Sequence, residues 1–425
     1  MTDTIFALSS GRPPAAISVI RVSGTRARHA GEQIAGSLPA PRMAAVRELR
    51  HPGSGELLDE ALVLRFDSPA SSTGEDIVEF QCHGGRAIVD AVLSALSIID
   101  GLREAAPGEF TRRAFENGRI DLTEAEGLAD LIEAETESQR KAALALAEGG
   151  LRKQISEWQD RLLGLSARAE LAIDYDEEDE TIDASLLNDC AALREDLRQW
   201  LGRPRVEPLK DGVRVVLAGS PNAGKSSLIN ALTGEDRSIV TNVPGTTRDH
   251  IEVPLSLGGI PVRLTDTAGL RDVEDEVEAI GVERTGRLIG AADVLVWLGE
   301  EAVAPDHRQI VIVHAKMDLP ERRRPPPGSL GVSSVTGEGI ASLLETIESR
   351  ARSILPAEDA IALNRRQARH IEEAVDSLSA AASGRNPILV AEDLRMARSA
   401  FDRLTGRAGV EEVLDALFGR FCLGK

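Results

Sequence analysis

The residues whose types and spacing promise chemistry run from Gly219 to Ser227 and read Gly-Ser-Pro-Asn-Ala-Gly-Lys-Ser-Ser. Glycines in such a loop let backbone N–H groups close around phosphate oxygens; a lysine after the second glycine reaches the β and γ oxygens, and the next hydroxyl is a hard ligand for Mg2+. Lys225 and Ser226 fill those two roles, and Asn222, Ala223, Gly224 and Ser227 complete the cradle. A plain glycine turn can share this composition. Four motifs further along the chain argue against a plain turn. Thr241 to Asp249 is a hydroxyl-rich loop in which Thr241 and Thr246 can meet the nucleotide and Thr247 can give Mg2+ a second hydroxyl. Asp266-Thr267-Ala268-Gly269 offers a carboxylate that holds Mg2+ through water and a glycine amide for the γ-phosphate. Lys316-Met317-Asp318 places a carboxylate where guanine, but not adenine, offers N1–H and an exocyclic amine. Ser333 and Ser334 can make the last backbone contact to the base. Together these predict a Mg2+-dependent GTPase with Lys225 and Thr247 in catalysis.

These motifs need rigid supports, and the flanking sequence supplies them. Val213–Ala218 reads as a buried strand before the loop and Ser227–Leu232 as a helix after it, while Val262–Thr265 and Ile310–Val313 read as strands ending at the next two motifs. Only Gly299–Gln309 joins strand Val294–Leu298 to Ile310–Val313, too short for the usual crossover helix, so a trimmed or irregular sheet edge is expected. Upstream, Ala16–Val22, Ala61–Phe66 and Asp76–Gln81 read as strands and Gly85–Ile98 as a helix; His83 between them reads as a strand-to-helix turn. Long helices begin near Leu122, with Thr123 and Glu126 spaced as a capping box, and Ala184–Leu201 reads as a helix broken at Gly202. Seven of the ten residues from Asp174 to Asp183 are acidic, but no calcium-loop spacing is present, so a solvated loop is expected. Helical patterns return after Pro356. The predicted fold is multidomain, α/β plus α: an N-terminal α+β domain (1–115), a discontinuous helical domain (116–207 and 353–425), and a Ras-like P-loop GTPase domain (208–352) inserted into it.

Composition sets limits. A chain of 425 residues, 42% hydrophobic, can core two or three domains. Its net charge of −20 excludes phosphate binding over the whole surface, so any RNA contact must be local. Cys82, Cys190 and Cys422 lie far apart and suggest neither a disulfide framework nor a zinc site. No apolar run approaches the roughly 20 residues of a membrane span, and a soluble, cytoplasmic protein is expected.

The order of domains, Gly245-Thr246-Thr247-Arg248-Asp249, Asp266 to Leu270 and the terminal Phe421-Cys422-Leu423-Gly424-Lys425 resemble the MnmE (TrmE) family of tRNA uridine modification GTPases over the whole chain. That resemblance implies a homodimer and an N-terminal domain that binds a tetrahydrofolate derivative, 5-formyl or 5,10-methylene. It also implies a heterotetramer or larger complex with the FAD-dependent partner MnmG, which builds an aminomethyl or carboxymethylaminomethyl group at C5 of the tRNA wobble uridine. Leu270 stands where Ras-like enzymes carry a water-positioning glutamine. By resemblance, Glu278 orients the water, and Asn222, Thr241, Val243 and Thr246 hold a K+ ion when two GTPase domains meet. Arg21, Glu79, Arg119 and Lys425 match the family's folate contacts, with Arg119 replacing a lysine. Ala315 stands where the base motif usually has asparagine. An Era-like ribosome-assembly GTPase would bring a KH module or a second GTPase domain, and neither is seen. A scaffold with a decayed GTPase is opposed by intact Lys225, Ser226, Thr247 and Asp266.

Overall fold

The computed structural model describes residues 3–175, 183–234, 252–267, 286–357, 360–408, 411–421 and 424. Two compact units emerge, one made of Met1–Ala129, Leu151–Gln154 and Asp402–Lys425, the other of Asp130–Gly150 and Ile155–Phe401.

In the first unit, β1 (Thr4–Leu8), β2 (Ile17–Ser23), β3 (Ala44–Arg50), β4 (Leu57–Phe66), β5 (Ile77–His83) and β6 (Leu102–Glu104) form one sheet in the order β3-β4-β5-β2-β1-β6. Strand side chains alternate faces, and the apolar set Phe6, Ile20, Val22, Val63, Val78 and Phe80 lies in one buried cluster with Ala30 and Ile34 of helix Ala27–Ala35 and Val92 and Leu96 of helix Arg86–Ser97. Arg21 and Glu79 sit directly opposite each other on β2 and β5, each flanked along its strand by residues of that cluster. His83 ends β5 with its Nδ1 2.7 Å from Asp59 Oδ1, and Gly84 lets the chain turn, since a Cβ there would stand 2.2 Å from the Ala15 carbonyl oxygen. The strand-to-helix turn read from the sequence is what forms.

Helix Leu122–Glu133 is capped two residues earlier than expected. Asp121 accepts the Glu124 N–H at 2.9 Å while the Glu124 carboxylate accepts the Asp121 N–H at 2.7 Å. Thr123 is fully buried inside the first turn and donates to Asp121, so it cannot be the cap. Asp121/Glu124 and Thr123/Glu126 share the three-residue spacing, and burial of Thr123 leaves the cap to Asp121. Helix Glu411–Phe418 and Phe421 pack with Leu122, Ala125 and Phe115 of the same unit.

In the second unit, β7 (Val213–Gly219), β8 (Glu252–Leu257), β9 (Ile260–Asp266), β10 (Val294–Leu298), β11 (Ile310–His314) and β12 (Leu330–Gly331) form a sheet in the order β12-β11-β10-β7-β9-β8, parallel apart from the β8–β9 hairpin. Val215, Leu217, Val262, Leu264, Val294 and Val296 lie in a core with helices Lys225–Leu232 and Ile340–Ile354. The hairpin turns on Gly258 and Gly259, both at positive φ (+55° and +80°), as a two-residue loop of its handedness requires. The short crossover holds a single 3-10 turn, Glu301–Val303, yet β10 and β11 still pair in parallel with Leu295 opposite Ile310. Trimming is confined to the connection and to β12, two residues long.

Helix Ala184–Leu201 packs along helix Arg365–Ser383. Trp158, fully buried on helix Gly150–Tyr175, stands edge-on to Trp200 at 5.3 Å and stacks on Phe401 at 6.1 Å. Truncating it would cost about 3–5 kcal/mol. Residues 176–182, the core of the acidic loop, lie outside the described residues. Among the described residues, no helix is long and apolar enough to cross a membrane.

Candidate functional site

The nucleotide motifs converge at the ends of β7, β9, β11 and β12. Gly219 and Gly224 take φ of +150° and +98°, and a Cβ at Gly219 would stand 2.3 Å from the Leu298 carbonyl oxygen, so the loop leaves β7 in a path open to glycine. Asn222 also sits at positive φ, +60°, where asparagine is better tolerated than most side chains. Lys225 opens the following helix and curls back over the loop, with Nζ donating to the Gly219 and Ser220 carbonyls at 3.1 and 3.0 Å. Ser227 follows on the helix's first turn.

Ser226 Oγ donates to Asp266 Oδ2 at 2.7 Å, and Asp266 is 5% exposed at the end of β9. A hydroxyl and a carboxylate side by side are hard oxygen donors, and they fit Mg2+ bound directly by Ser226 and through water by Asp266. Thr267 is locked to β7, its Oγ1 donating to the Leu217 carbonyl at 3.0 Å. Thr241, Val243, Thr246, Thr247, Ala268, Gly269 and Glu278 lie outside the described residues.

The base-reading side is tied to this cradle. Asp318 is held by Ser333, whose Oγ donates to Asp318 Oδ1 at 2.7 Å while accepting the Thr336 N–H at 3.2 Å. Ser334 follows in the same turn. One carboxylate oxygen is thereby fixed by a fully buried serine. Lys316, at φ +64°, donates Nζ to the Asn222 carbonyl at 2.7 Å. That contact braces the phosphate loop in the absence of an asparagine at 315; Ala315 itself is buried, and its carbonyl accepts Arg322 Nε at 2.8 Å. Sequence reasoning missed this brace, although the lysine was in plain view. Behind the loop, the short crossover leaves a cleft of about 670 Å3 between Asn222, Trp297, Ile312 and His314.

The first unit holds the second group of expected site residues. Arg21 Nε lies 2.8 Å from Glu79 Oε1, and its guanidinium sits 5.6 Å from the Phe110 ring centre. Arg119 is exposed, its stem against Gly74. Beside them runs a network no local pattern announces. Ser23 donates to Glu75 at 2.8 Å, Arg113 meets Glu75 at 3.1 Å and Glu109 at 3.0 Å, and Arg103 meets Glu109 at 2.6 Å. Lys425 and Cys422 lie outside the described residues, but Gly424 is seated at φ +89°, where a Cβ would stand 2.0 Å from the Leu8 carbonyl oxygen. Leu8 pairs with Ile20, next to Arg21, so the chain's end reaches the strand pair that carries Arg21. Burial and the nearby Asp59 carboxylate push the Cys82 thiol up to about 12, and burial likewise pushes Cys190 to about 11. Both stay protonated near neutrality and act as small apolar groups.

Comparison with known proteins agrees along the chain's length. The family model described as "MnmE helical domain" matches residues 122–422, and "GTP-binding protein TrmE N-terminus" matches residues 4–119. The protein named tRNA modification GTPase MnmE from Novosphingobium aromaticivorans is 50% identical over 437 residues, with all of both chains covered. Its namesake from Erythrobacter litoralis is 50% identical, also with all of both chains covered, and that from Zymomonas mobilis is 51% identical, with 99% of this chain and 100% of the relative covered. Among solved structures, the G domain of the Thermotoga maritima iron transporter FeoB is 30% identical over 33% of this chain and 98% of its own, with a TM-score of 0.24. The chain belongs to the MnmE family.

Proposed function

We propose that this chain is the GTP-hydrolysing component of tRNA wobble-uridine modification. The observation that carries the reading is the joined cradle: Ser226 against Asp266, Lys225 over the loop, and Asp318 fixed by Ser333, in a chain that matches tRNA modification GTPases end to end. GTP would lie across it with the base against Asp318 and the phosphates over the Asn222–Ser227 amides. Lys225 would release its two carbonyls to meet the β and γ oxygens, and its charge would offset what builds there as the γ-phosphoryl group passes to water. Ser226, Thr247 and Asp266 would hold Mg2+, which supplies further positive charge at those oxygens.

Beyond this core, Glu278 would orient the attacking water, and Asn222, Thr241, Val243 and Thr246 would hold K+, whose charge would offset that developing at the phosphates; hydrolysis in KCl and not in NaCl checks that site. A folate one-carbon donor, 5-formyl- or 5,10-methylenetetrahydrofolate, is placed by Arg21, Glu79, Arg119 and Lys425 in the 1–115 domain. Partial support comes from the Arg21–Glu79 pair and from Gly424 seated beside β1. The chain works as a cytoplasmic homodimer with MnmG. Exposed Ile17 and Val46 (58% and 55%) on the N-terminal sheet, with Met43 (61%) just before its strand β3, support a self-association face. The domain plan read from the sequence, with the 208–352 GTPase inserted between helical segments 116–207 and 353–425, is retained in this proposal.

Nucleoside analysis of bulk tRNA from cells lacking the protein tests the whole reading. The C5-modified wobble uridines are expected to vanish and to return with the wild-type gene; unchanged nucleosides would refute it.

A further inference from the structure

A protein of net charge −20 that acts on tRNA must keep its phosphate contacts local, and one end of the helical layer has the required chemistry. The segment after helix Ala184–Leu201 lies against the start of helix Arg365–Ser383. The Val206 N–H donates to the Leu363 carbonyl at 3.2 Å, the Arg365 N–H donates to Glu207, and Arg205 reaches Glu372 at 3.5 Å. Two stretches far apart in sequence thus meet, one carrying Arg198, Arg203 and Arg205 and the other Arg365, Arg366 and Arg369.

These arginines differ from those of the N-terminal unit. There, Arg103, Arg112 and Arg113 line a cleft of about 610 Å3, but each is tied to carboxylates: Glu109, Asp415 and Glu75 respectively. Such a cleft is internally neutralised. At the helical end, Arg198, Arg203 and Arg365 are exposed and, among the described residues, make no ion pair. Arg205 Nη1 is buried and meets no acceptor among the described residues. Arg203 is not idle: its guanidinium carbon lies 3.8 Å from the centre of the Trp200 ring, which is anchored by Trp158. A guanidinium held over an indole is preorganised at low entropy cost, and its planar fork suits phosphate oxygens and the face of an unstacked base.

We propose that this end, around Arg198, Arg203 and Arg365, is an RNA contact taken by the phosphodiester backbone of the tRNA, with Arg203 as its ordered centre. The proposal rests on the tRNA reading of this chain and adds a surface to it. The nucleotide cradle plays no part in this contact.

The test uses the full chain and an unmodified tRNA transcript with uridine at the wobble position, titrated between 50 and 200 mM KCl. The double variant Arg203→Glu/Arg365→Glu is expected to bind at least tenfold more weakly, with the slope of log affinity against log salt reduced by roughly 2, near 0.9 per lost phosphate contact. Arg395→Glu/Arg398→Glu, an equal charge change on exposed positions of helix Pro387–Thr405, is expected to stay within twofold of wild type. GTP hydrolysis should not move in either variant, and both should remain folded at the assay temperature. Wild-type tRNA binding that survives the first reversal, or falls equally with the second, overturns the patch alone. Unchanged tRNA affinity with lost modification in cells also overturns it and points to an acidic protein on this face. A wild type that hydrolyses GTP yet binds no tRNA at the lowest salt overturns both the patch and the tRNA reading.

Discussion

The nucleotide cradle and the Arg21 region handle charge in opposite ways. In the cradle, Lys225 Nζ donates to the Gly219 and Ser220 carbonyls and Lys316 Nζ donates to the Asn222 carbonyl, neutral acceptors that a phosphate can displace. Around Arg21, positive groups face acids directly: Arg21 with Glu79, Arg113 with Glu75 and Glu109, Arg103 with Glu109. A ligand entering there must reorganise an ion pair or use both of its partners. The first site suits an anion, whereas the second meets its own charges with ion pairs.

The sharpest way to break this contrast is to remove the displaceable cation. Lys225→Ala should lower the GTP hydrolysis rate by about 100- to 1,000-fold, the scale of losing one preorganised charge at the reacting phosphate, while leaving folate binding intact; single-turnover hydrolysis and folate titration in parallel check it. Next in size, Asp318→Asn should cost about 2 kcal/mol, some 30-fold, in GTP affinity and shift preference toward xanthosine triphosphate, whose second carbonyl accepts from the new amide. Competition between the two nucleotides reads this directly, and an unchanged preference removes Asp318 as base reader.

Deleting Cys422 to Lys425 should weaken 5-formyltetrahydrofolate binding at least tenfold, about 1.4 kcal/mol, and leave basal GTP hydrolysis in place. Gly424 sits against Leu8, where any side chain would strike the Leu8 carbonyl. Normal folate binding by the truncated protein would detach the tail from the pocket. The smallest effect concerns the acid network. Burial alone would raise the Glu109 carboxyl, but hydrogen bonds from Arg103, the Ala106 N–H and Arg113 override it and hold the group at about 2, below its usual 4.5. A depressed carboxylate stabilises the fold above its unfolded value and loses that contribution as pH falls from about 4.5 through about 2. The thermal midpoint gap between wild type and Glu109→Gln should therefore be widest at neutral pH and close across that window; a constant gap would mean the pairing carries no stability.

The same contrast explains how much was legible in the sequence. Each part of the cradle is a short contiguous motif at the end of a strand, so local spacing exposed Lys225, Ser226, Asp266 and Asp318, and Ala184–Leu201 emerged with the bounds expected. Arg21, Glu79 and Arg119 come from separate elements 58 and 40 residues apart, joined only by strand pairing and a turn, and were reached through resemblance alone. Ser23, Glu75 and Arg113 carry no local signature at all. The cap at Asp121 was misplaced because two overlapping matches share one spacing, and only burial of Thr123 decides between them. The short crossover was read correctly as too small for a helix, but pairing of β10 and β11 survives because strand register needs only a few hydrogen bonds, not a packed crossover.

The most direct test of the central claim, that a GTP cradle and a separate N-terminal site serve one tRNA modification, is nucleoside analysis of tRNA from a deletion strain carrying Lys225→Ala or Glu79→Gln. Both variants should fail to restore the modified wobble uridine, while purified Lys225→Ala still binds folate and purified Glu79→Gln still hydrolyses GTP. Normal modification with either variant would contradict it.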